Sequence, residues 1–283
     1  MEFKNTLIMK VLFISSGNSV NGISPIITNQ GESLKKNGIS ISFFTIRGKG
    51  LVGYLKSIWS IRKKIKNEKF DIVHAHYSFS GFAAALAGAK PLVVSLMGSD
   101  VKANWYRRFI VKVVNSLFWT STIVKSDDMK KAICIKKALV IPNGVDCNKF
   151  YPINKEEALN HTMWDKNKRH ILFAANSDRY VKNFKLAKRA FELINKPNIE
   201  LHSLRNIKNK YMPFYINAAD VVLLTSLWEG SPNVIKESMA CNRPIVSTDV
   251  GDVNHLLNGL DGCYVTSFNE EKIMQKILLA LEF

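Results

Sequence analysis

Short apolar segments alternate with amphipathic segments along all 283 residues, and this alternation limits the fold more than any other feature. DIVHAHY (71–77), PLVVSLM (91–97) and DVVLLTS (220–226) are apolar runs of strand length, and helix-like stretches separate them. Strands that are apolar throughout and separated by helices are typical of a parallel sheet buried on both faces. The sequence therefore predicts an α/β fold.

A turn-rich segment, IPNGVD (141–146), interrupts this alternation, and the pattern starts again at HILFAAN (170–176). Pro, Asn-Gly and Asp favour turns, so we place a linker at about 142–165. The chain is long enough for two domains. We predict two Rossmann-like domains, residues 1–145 and 146–283. Because open α/β sheets bind ligands at the carboxyl ends of their strands, we expect the domains to face each other across a cleft.

Positive charge is concentrated in the first half of the chain. Residues 1–150 contain 23 Lys and Arg against 8 Asp and Glu, a net charge of +15, whereas residues 151–283 contain 17 and 15, a net charge of +2. Such an excess predicts an anionic partner: a lipid surface, a phosphorylated substrate or nucleic acid. No recognition-helix, RRM or OB-fold signature is present, so we expect no nucleic acid partner.

Two segments of the basic half combine Lys and Arg with aromatic residues, YLKSIWSIRKKIK (54–66) and NWYRRFIVKVVNSLFW (104–119). That composition favours contact with an anionic membrane surface. The alternative is an ordinary core-facing stripe with a solvated basic face. No apolar run reaches 18 residues, and LIMKVLFISS (7–16) is interpreted as a first strand, not a signal peptide. We therefore expect a cytoplasmic protein, peripheral at the inner face of the cell membrane.

Four cysteines lie far apart in the sequence, and none forms a C-x-x-C pair. No pair of histidines has the spacing of a zinc finger, so we expect no structural zinc site of that kind. Asp127-Asp128 offers no metal motif either and is interpreted as the start of a helix. We predict reduced thiols and no metal.

The most informative stretch is TSLWEGSPNVIKESMACNRPIVSTDVGDV (225–253). Ser231 suits the N-cap of a helix and Pro232 its first position. The amide groups of Asn233 and Val234 would then form an anion site, aided by the helix dipole.

Two carboxylates flank this helix start. Glu237 lies one turn along the helix from Asn233, and Glu229 lies in the preceding loop next to Gly230. The arrangement fits a diphosphate that is held by amides, with a carboxylate on either side. The alternative is a capped core helix with two surface glutamates.

These residues resemble the E-x7-E motif of the retaining glycosyltransferases of family 4, here Glu229 to Glu237 followed by SMACNRPIVSTDVGDV. VIPNGVDCNKFYPI (140–153) is similar to the family's interdomain linker, and Lys182-Asn183-Phe184 to its lysine before a helix. DIVHAH and MGSDV are weaker matches. The resemblance covers about residues 8–266. It implies the GT-B fold and transfer of a sugar from a nucleotide diphosphate sugar with retained anomeric configuration, without cofactor or metal.

The resemblance also implies roles for single residues. Glu237 would hold the ribose hydroxyls, Glu229 would act as a catalytic group beside the donor sugar, and Lys182 would face the diphosphate. Ser177 stands where the family has an arginine, and Arg179 is a candidate substitute. The donor-binding set is Arg179, Lys182, Gly230, Ser231, Pro232, Asn233, Val234 and Glu237.

The first half departs from the family at Met97, where many relatives have a histidine that contacts the donor sugar. His76 is the candidate catalytic replacement; the alternative is that this histidine and His74 are core groups of a buried strand. The acceptor site is expected near the loop 17–24. The residues assigned to the acceptor or sugar side are Gly22, His74, Met97 and Asp100.

The sequence thus predicts a hexosyltransferase that moves a sugar from a nucleotide diphosphate sugar to a lipid-linked saccharide in bacterial surface polysaccharide synthesis, such as lipopolysaccharide or capsule. The chain ends at Phe283, where relatives add a helix, so we expect a short or truncated member. Three alternatives remain: a nucleotide-sugar 2-epimerase or sugar synthase of the same fold, a degenerate, non-catalytic binding protein, and a basic nucleic-acid binder, which salt-dependent binding to random DNA would reveal.

Overall fold

A computed structural model describes residues 8–18, 22–48, 50–101 and 105–283. The chain divides into two compact units, Met1–Asn143 and Gly144–Phe283. Both are parallel α/β structures, which confirms the predicted fold class.

Unit 1 contains one sheet in which all described strand pairs are parallel. Its strands are β1 (Lys10–Ser16), β2 (Ser40–Ile46), β3 (Ile72–His76), β4 (Leu92–Ser95), β5 (Ser121–Val124) and β6 (Leu139–Val140). Their order in the sheet is β2-β1-β3-β4-β5-β6. Every residue from Val11 to Ser15 in β1 is buried, because helices cover both faces of a parallel sheet.

Five helices connect these strands within the described residues. They are α1 (Pro25–Lys36), α2 (Gly50–Glu68), α3 (Ser78–Leu86), α4 (Trp105–Phe118) and α5 (Asp127–Ile133). As expected, Asp127 starts a helix; the Ser126 hydroxyl caps it by accepting from the amide of Met129.

Unit 2 repeats the alternation. Its strands are β7 (Arg169–Phe173), β8 (Ile199–Ser203), β9 (Val221–Leu224), β10 (Ile245–Thr248) and β11 (Cys263–Thr266), in the order β11-β10-β9-β7-β8. Its helices are α6 (Lys155–Thr162), α7 (Phe184–Ile194), α8 (Met212–Ala218), α9 (Asn233–Ala240), α10 (Val253–Leu257) and α11 (Glu270–Glu282). Short 3₁₀ turns occupy Tyr180–Lys182 and Asn209–Tyr211.

One local expectation is wrong. The segment assigned to a linker contains α6, because Asn154 caps that helix by accepting from two amides and its apolar residues pack on α8. In the second basic segment, α4 ends at Phe118, and Trp119 is buried against Phe82 with ring centroids 6.0 Å apart. Asn104 lies outside the described residues. No described helix is both long and apolar enough to cross a bilayer.

Candidate active site

The order of strands in unit 2 reverses between β7 and β9. Loops that leave two such neighbouring strands diverge and open a crevice, where ligands of open α/β sheets bind. Lys182 follows β7 and Glu229 follows β9. The fold therefore brings two of the predicted donor-site residues to the switch point of the sheet.

Lys182 and Glu229 form an ion pair at this crevice. The Lys182 Nζ lies 2.5 Å from the Glu229 Oε1, and their side chains are 14% and 17% exposed. The Ser226 hydroxyl donates to the same oxygen at 2.7 Å. The Thr225 hydroxyl donates to the carbonyls of Lys182 and Asn183, at 3.2 and 3.0 Å. The two residues directly after β9 thus hold both partners of the ion pair: Ser226 binds the Glu229 carboxylate, and Thr225 binds the backbone at Lys182.

Helix α9 begins one residue later than expected. Pro232 is its N-cap and Asn233 its first residue, so the assignment of Ser231 as N-cap is wrong. The reason is that Ser231 makes tertiary hydrogen bonds: its hydroxyl lies 2.5 Å from both the Asp252 Oδ2 and the Lys236 Nζ. The first amides of α9, including Val234, still lie at a helix N-terminus, which favours anions.

Gly230 is closely packed against the loop before α10. A Cβ on Gly251, whose φ is +64°, would lie 2.5 Å from the Gly230 carbonyl oxygen and 3.2 Å from that of Glu229. Any side chain at 251 would collide with these carbonyl oxygens. The position of the loop that contains Glu229 therefore depends on glycine at 251.

Glu237 lies in a largely buried position on α9. Burial raises the pKa of its carboxyl to about 7, and the nearby ammonium groups of Lys149 and Lys236 oppose this shift. Burial also lowers the pKa of both lysines. Glu237 is thus a titratable carboxyl of α9 that interacts with two partly buried ammonium groups.

Two arginines lie near the position where the family has its arginine. Arg179 is exposed and starts the 3₁₀ turn that ends at Lys182. Arg205, in the loop after β8, donates to the Ser177 hydroxyl at 3.1 Å and pairs with Asp178 at 2.8 Å. A guanidinium thus lies against the residue that replaces the family arginine.

Lys149, Lys236 and Arg205 were not found by sequence reasoning. Lys236 lies inside the motif but has the common pattern of a surface helix residue. Lys149 lies 88 residues before Glu237, the carboxyl it approaches. Arg205 lies 27 residues after Asp178 and 28 after Ser177, the two residues it contacts.

In unit 1 the strand order reverses between β1 and β3. His76 ends β3 and is 2% exposed; its ring stacks on His74 at 4.3 Å and contacts Phe13 at 4.7 Å. The His74 Nε2 lies 2.8 Å from the Ser95 hydroxyl. Burial lowers the pKa of His74 to about 4 and that of His76 well below its usual range. Both rings are therefore neutral at pH 7.

Asp100 holds the loop after β4. Its buried carboxylate accepts from the amide of Ser78 at 2.9 Å and from that of Met97 at 2.6 Å. Met97 thus enters this network through its backbone. Gly22, with φ +75°, precedes α1 on the loop after β1; residues 19–21 of the predicted acceptor loop lie outside the described residues.

Beside Asp100, unit 1 contains a cavity of about 200 Å³. Its lining is mainly aromatic and apolar and also includes one arginine and Asp100. The lining includes Tyr77, Phe79, Phe82, Asp100, Tyr106 and Arg107.

Comparison with known proteins identifies the class of protein to which this fold belongs. Residues 20–149 match the family described as Glycosyltransferase Family 4, and residues 192–282 match that described as Glycosyl transferases group 1. Sucrose-phosphate synthase from Thermosynechococcus elongatus has the same fold, with a TM-score of 0.81 at 14% identity over 97% of this chain and 90% of its own. The protein is a glycosyltransferase of the GT-B fold.

Two of the similar proteins are bacterial glycosyltransferases. The Escherichia coli UDP-Gal:alpha-D-GlcNAc-diphosphoundecaprenol alpha-1,3-galactosyltransferase is 29% identical over 76% of this chain and 67% of its own length. The Campylobacter jejuni N,N'-diacetylbacillosaminyl-diphospho-undecaprenol alpha-1,3-N-acetylgalactosaminyltransferase is 26% identical over 81% and 72%. The chain belongs to glycosyltransferase family 4, which confirms the resemblance seen in the sequence.

Proposed function

We propose that this protein is a retaining hexosyltransferase that moves a sugar from a nucleotide diphosphate sugar to a lipid-linked saccharide in bacterial surface polysaccharide synthesis. The observation that carries the proposal is the Lys182–Glu229 pair at the switch point of unit 2, beside the start of α9. Both named relatives have diphosphoundecaprenol-linked sugars in their names, which supports a lipid-linked acceptor.

In the proposed mechanism, the bond between the sugar C1 and the diphosphate oxygen breaks as the acceptor oxygen bonds to C1 from the same face. The acceptor hydroxyl gives its proton to the departing phosphate. Negative charge therefore grows on the diphosphate, while the sugar becomes oxocarbenium-like. Lys182 and the first amides of α9 stabilise the diphosphate, and Glu229 stabilises the sugar. The ribose hydroxyls donate to Glu237.

Arg205 is the proposed second cation of the donor site, with Arg179 as its competitor. The contact of Arg205 with Ser177 supports this choice. We expect Arg205→Ala to weaken binding of the nucleotide sugar more than Arg179→Ala does. A larger loss in the Arg179 variant would return the role to that residue.

The proposed acceptor side is unit 1. Arg107 at the cavity suits a phosphate, and the aromatic lining suits an apolar chain or a sugar face. Asp100 is assigned a positioning role, because its carboxylate holds the amides of Ser78 and Met97. A catalytic role for His76 and sugar contacts of His74 and Gly22 stay predictions.

The proposed location is the cytoplasmic face of the cell membrane. Two exposed helical faces of unit 1 support it. On α2, Val52, Leu55 and Trp59 precede basic residues, and on α4, Trp105 and Phe109 are exposed. Apolar side chains next to cations fit an anionic bilayer surface.

The deciding experiment measures release of nucleoside diphosphate from a panel of nucleotide sugars, with and without an undecaprenyl-diphosphate saccharide in detergent. We expect release that depends on the acceptor, together with a product one hexose larger. Turnover without acceptor would favour an epimerase. Binding without turnover for every pair would favour a non-catalytic protein.

A further inference from the structure

Three potential metal ligands converge on one face of the unit 2 sheet, away from the Lys182–Glu229 pair in the fold. His170 is the second residue of β7, and Glu200 and His202 lie on the neighbouring edge strand β8. The parallel register pairs His170 with Glu200 and Leu172 with His202. Because side chains alternate along strands, the three residues share one face.

The three donor atoms are separated by distances typical of atoms that share one metal ion. The His170 Nδ1 is 3.0 Å from the His202 Nε2 and 3.8 Å from the Glu200 Oε2, and the His202 Nε2 is 3.5 Å from that same oxygen. In the plane of the three atoms, the point equidistant from them lies about 2.0 Å from each, the usual length of zinc bonds to imidazole and carboxylate.

Hydrogen bonding fixes the tautomer of the buried ligand. The His170 Nε2 lies 2.9 Å from the backbone carbonyl oxygen of Asp165. A carbonyl only accepts, so this nitrogen carries the proton, and the His170 Nδ1 presents a lone pair to the other two residues. A ring N–H donated to a backbone carbonyl is the usual outer contact of a metal-bound histidine.

The remaining ligands are also held in place. Trp164 stacks on His202 with ring centroids 3.8 Å apart and an interplanar angle of 12°. Lys168 binds the Glu200 Oε1 at 2.5 Å, which leaves the Oε2 facing the histidines. Such preorganisation lowers the cost of assembling a metal site.

We propose that His170, Glu200 and His202 bind one divalent transition-metal ion of the zinc type through Nδ1, Oε2 and Nε2, with water as fourth ligand. Two imidazoles and one carboxylate suit zinc. The ion would join edge strand β8 to β7. The linear sequence does not indicate this site, because His170 lies 30 residues before Glu200 and 32 before His202 and only strand register brings the three residues together. The inference does not depend on the proposed sugar transfer.

The test uses tag-free full-length protein that is stripped with a chelator and desalted. It is titrated with Zn²⁺ by calorimetry and with Co²⁺ by visible absorption. We expect one ion per chain and the absorption bands of four-coordinate cobalt. Wild-type protein that binds neither ion would overturn the proposal.

Variants locate the site. We expect His202→Ala and Glu200→Gln each to weaken binding by more than about 100-fold, because even outer-shell partners of metal ligands contribute 10–100-fold. His161→Ala is the matched control, since His161 is an exposed histidine of the same unit that stacks on Phe214. Equal binding by the three variants and the wild type would place the metal elsewhere and overturn the assignment.

Thermal unfolding provides a readout that does not require binding spectra. An ion that binds only the folded state raises Tm by mass action. We expect Zn²⁺ to raise the Tm of the wild type and of His161→Ala, and not that of His202→Ala. Circular dichroism in chelator checks that every variant is folded. A Tm of His202→Ala that rises with Zn²⁺ like the wild type would contradict the proposal.

Discussion

At the residue scale, Lys182 provides the fixed positive charge at the switch point of unit 2. We expect Lys182→Ala to weaken nucleotide sugar binding by about 10- to 150-fold, because a charge-assisted contact contributes roughly 1.5–3 kcal/mol. Isothermal titration with the donor that the panel identifies measures this. Lys188→Ala is the control, because Lys188 is an exposed lysine of the same unit that pairs with Glu192. Equal losses in both variants would mean a general charge effect and would remove Lys182 from the site.

Glu237 makes stability depend on pH. Its pKa is about 7 in the folded protein and 4.5 as an isolated group, so the folded state binds more protons between these values. The free energy of unfolding should therefore fall as pH rises from about 4.5 through about 7, by at most ~1.4 kcal/mol per unit, and level off once this group is fully ionised in the folded state. Urea unfolding at pH 5.5, 6.5 and 7.5 measures it.

The control for this pH dependence is Glu237→Gln, which keeps the shape and removes the titration. We expect a flatter dependence between pH 5.5 and 7 in this variant. Parallel curves for the two proteins would show that another group titrates. Bound ribose hydroxyls would favour the carboxylate form and lower its pKa, so a nucleotide sugar should reduce the difference between the two proteins.

The sequence indicates Lys182, Glu229 and Glu237 because they match the family's lysine before a helix and its E-x7-E motif; their roles in the site stay predictions. It did not identify Lys149 or Arg205, because their neighbours in space are distant in sequence. The electrostatics of Glu237 follow from burial and from Lys149, and neither is visible in a linear pattern.

At the element scale, the position of the Glu229 loop depends on the turn before α10. We expect Gly251→Ala to displace that loop and to lower both stability, by about 1–3 kcal/mol, and nucleotide sugar binding. Gly259→Ala is a matched control, because Gly259 has φ +77° and no atom within 4 Å of an added Cβ. Both variants place alanine at a positive φ, but only the added methyl group of Gly251→Ala collides with the Gly230 carbonyl oxygen.

Unfolding curves and donor titrations on both glycine variants separate strain from displacement. Gly259→Ala should lose stability and keep wild-type donor affinity. If Gly251→Ala also kept that affinity, the contact with Gly230 would have no part in donor binding.

Alternating apolar segments were sufficient to predict the parallel sheets, because both faces of such sheets are buried. The ends of elements were less predictable. Ser231 has the sequence pattern of an N-cap, but Asp252 and Lys236 engage its hydroxyl, so α9 starts at Asn233. The sequence does not reveal helix α6, because its apolar residues are few and pack mainly on α8, which lies about 50 residues further along the chain.

At the scale of the whole molecule, charge and exposed apolar surface coincide in unit 1. Trp59 on α2 is 79% exposed and Trp105 on α4 is 74% exposed. Lys63 and Lys66 are exposed near the C-terminal end of α2. Arg62, by contrast, donates to the carbonyls of Leu86 and Ala87, so replacing it would also disturb α3.

We expect wild-type protein to float with vesicles that contain anionic lipid and to be released as salt rises, because the Debye length falls to about 3 Å at 1 M. Lys63→Gln combined with Lys66→Gln should weaken this binding by up to about 2 kcal/mol, at ~1 kcal/mol for each cation near the surface. Lys185→Gln with Lys196→Gln removes the same charge from exposed positions of unit 2 and should leave flotation unchanged. Equal binding to neutral vesicles would assign the contact to Trp59 and Trp105 instead. Absence of binding to either vesicle would contradict the membrane location. The basic surface of unit 1 would then be assigned to binding of the acceptor phosphate.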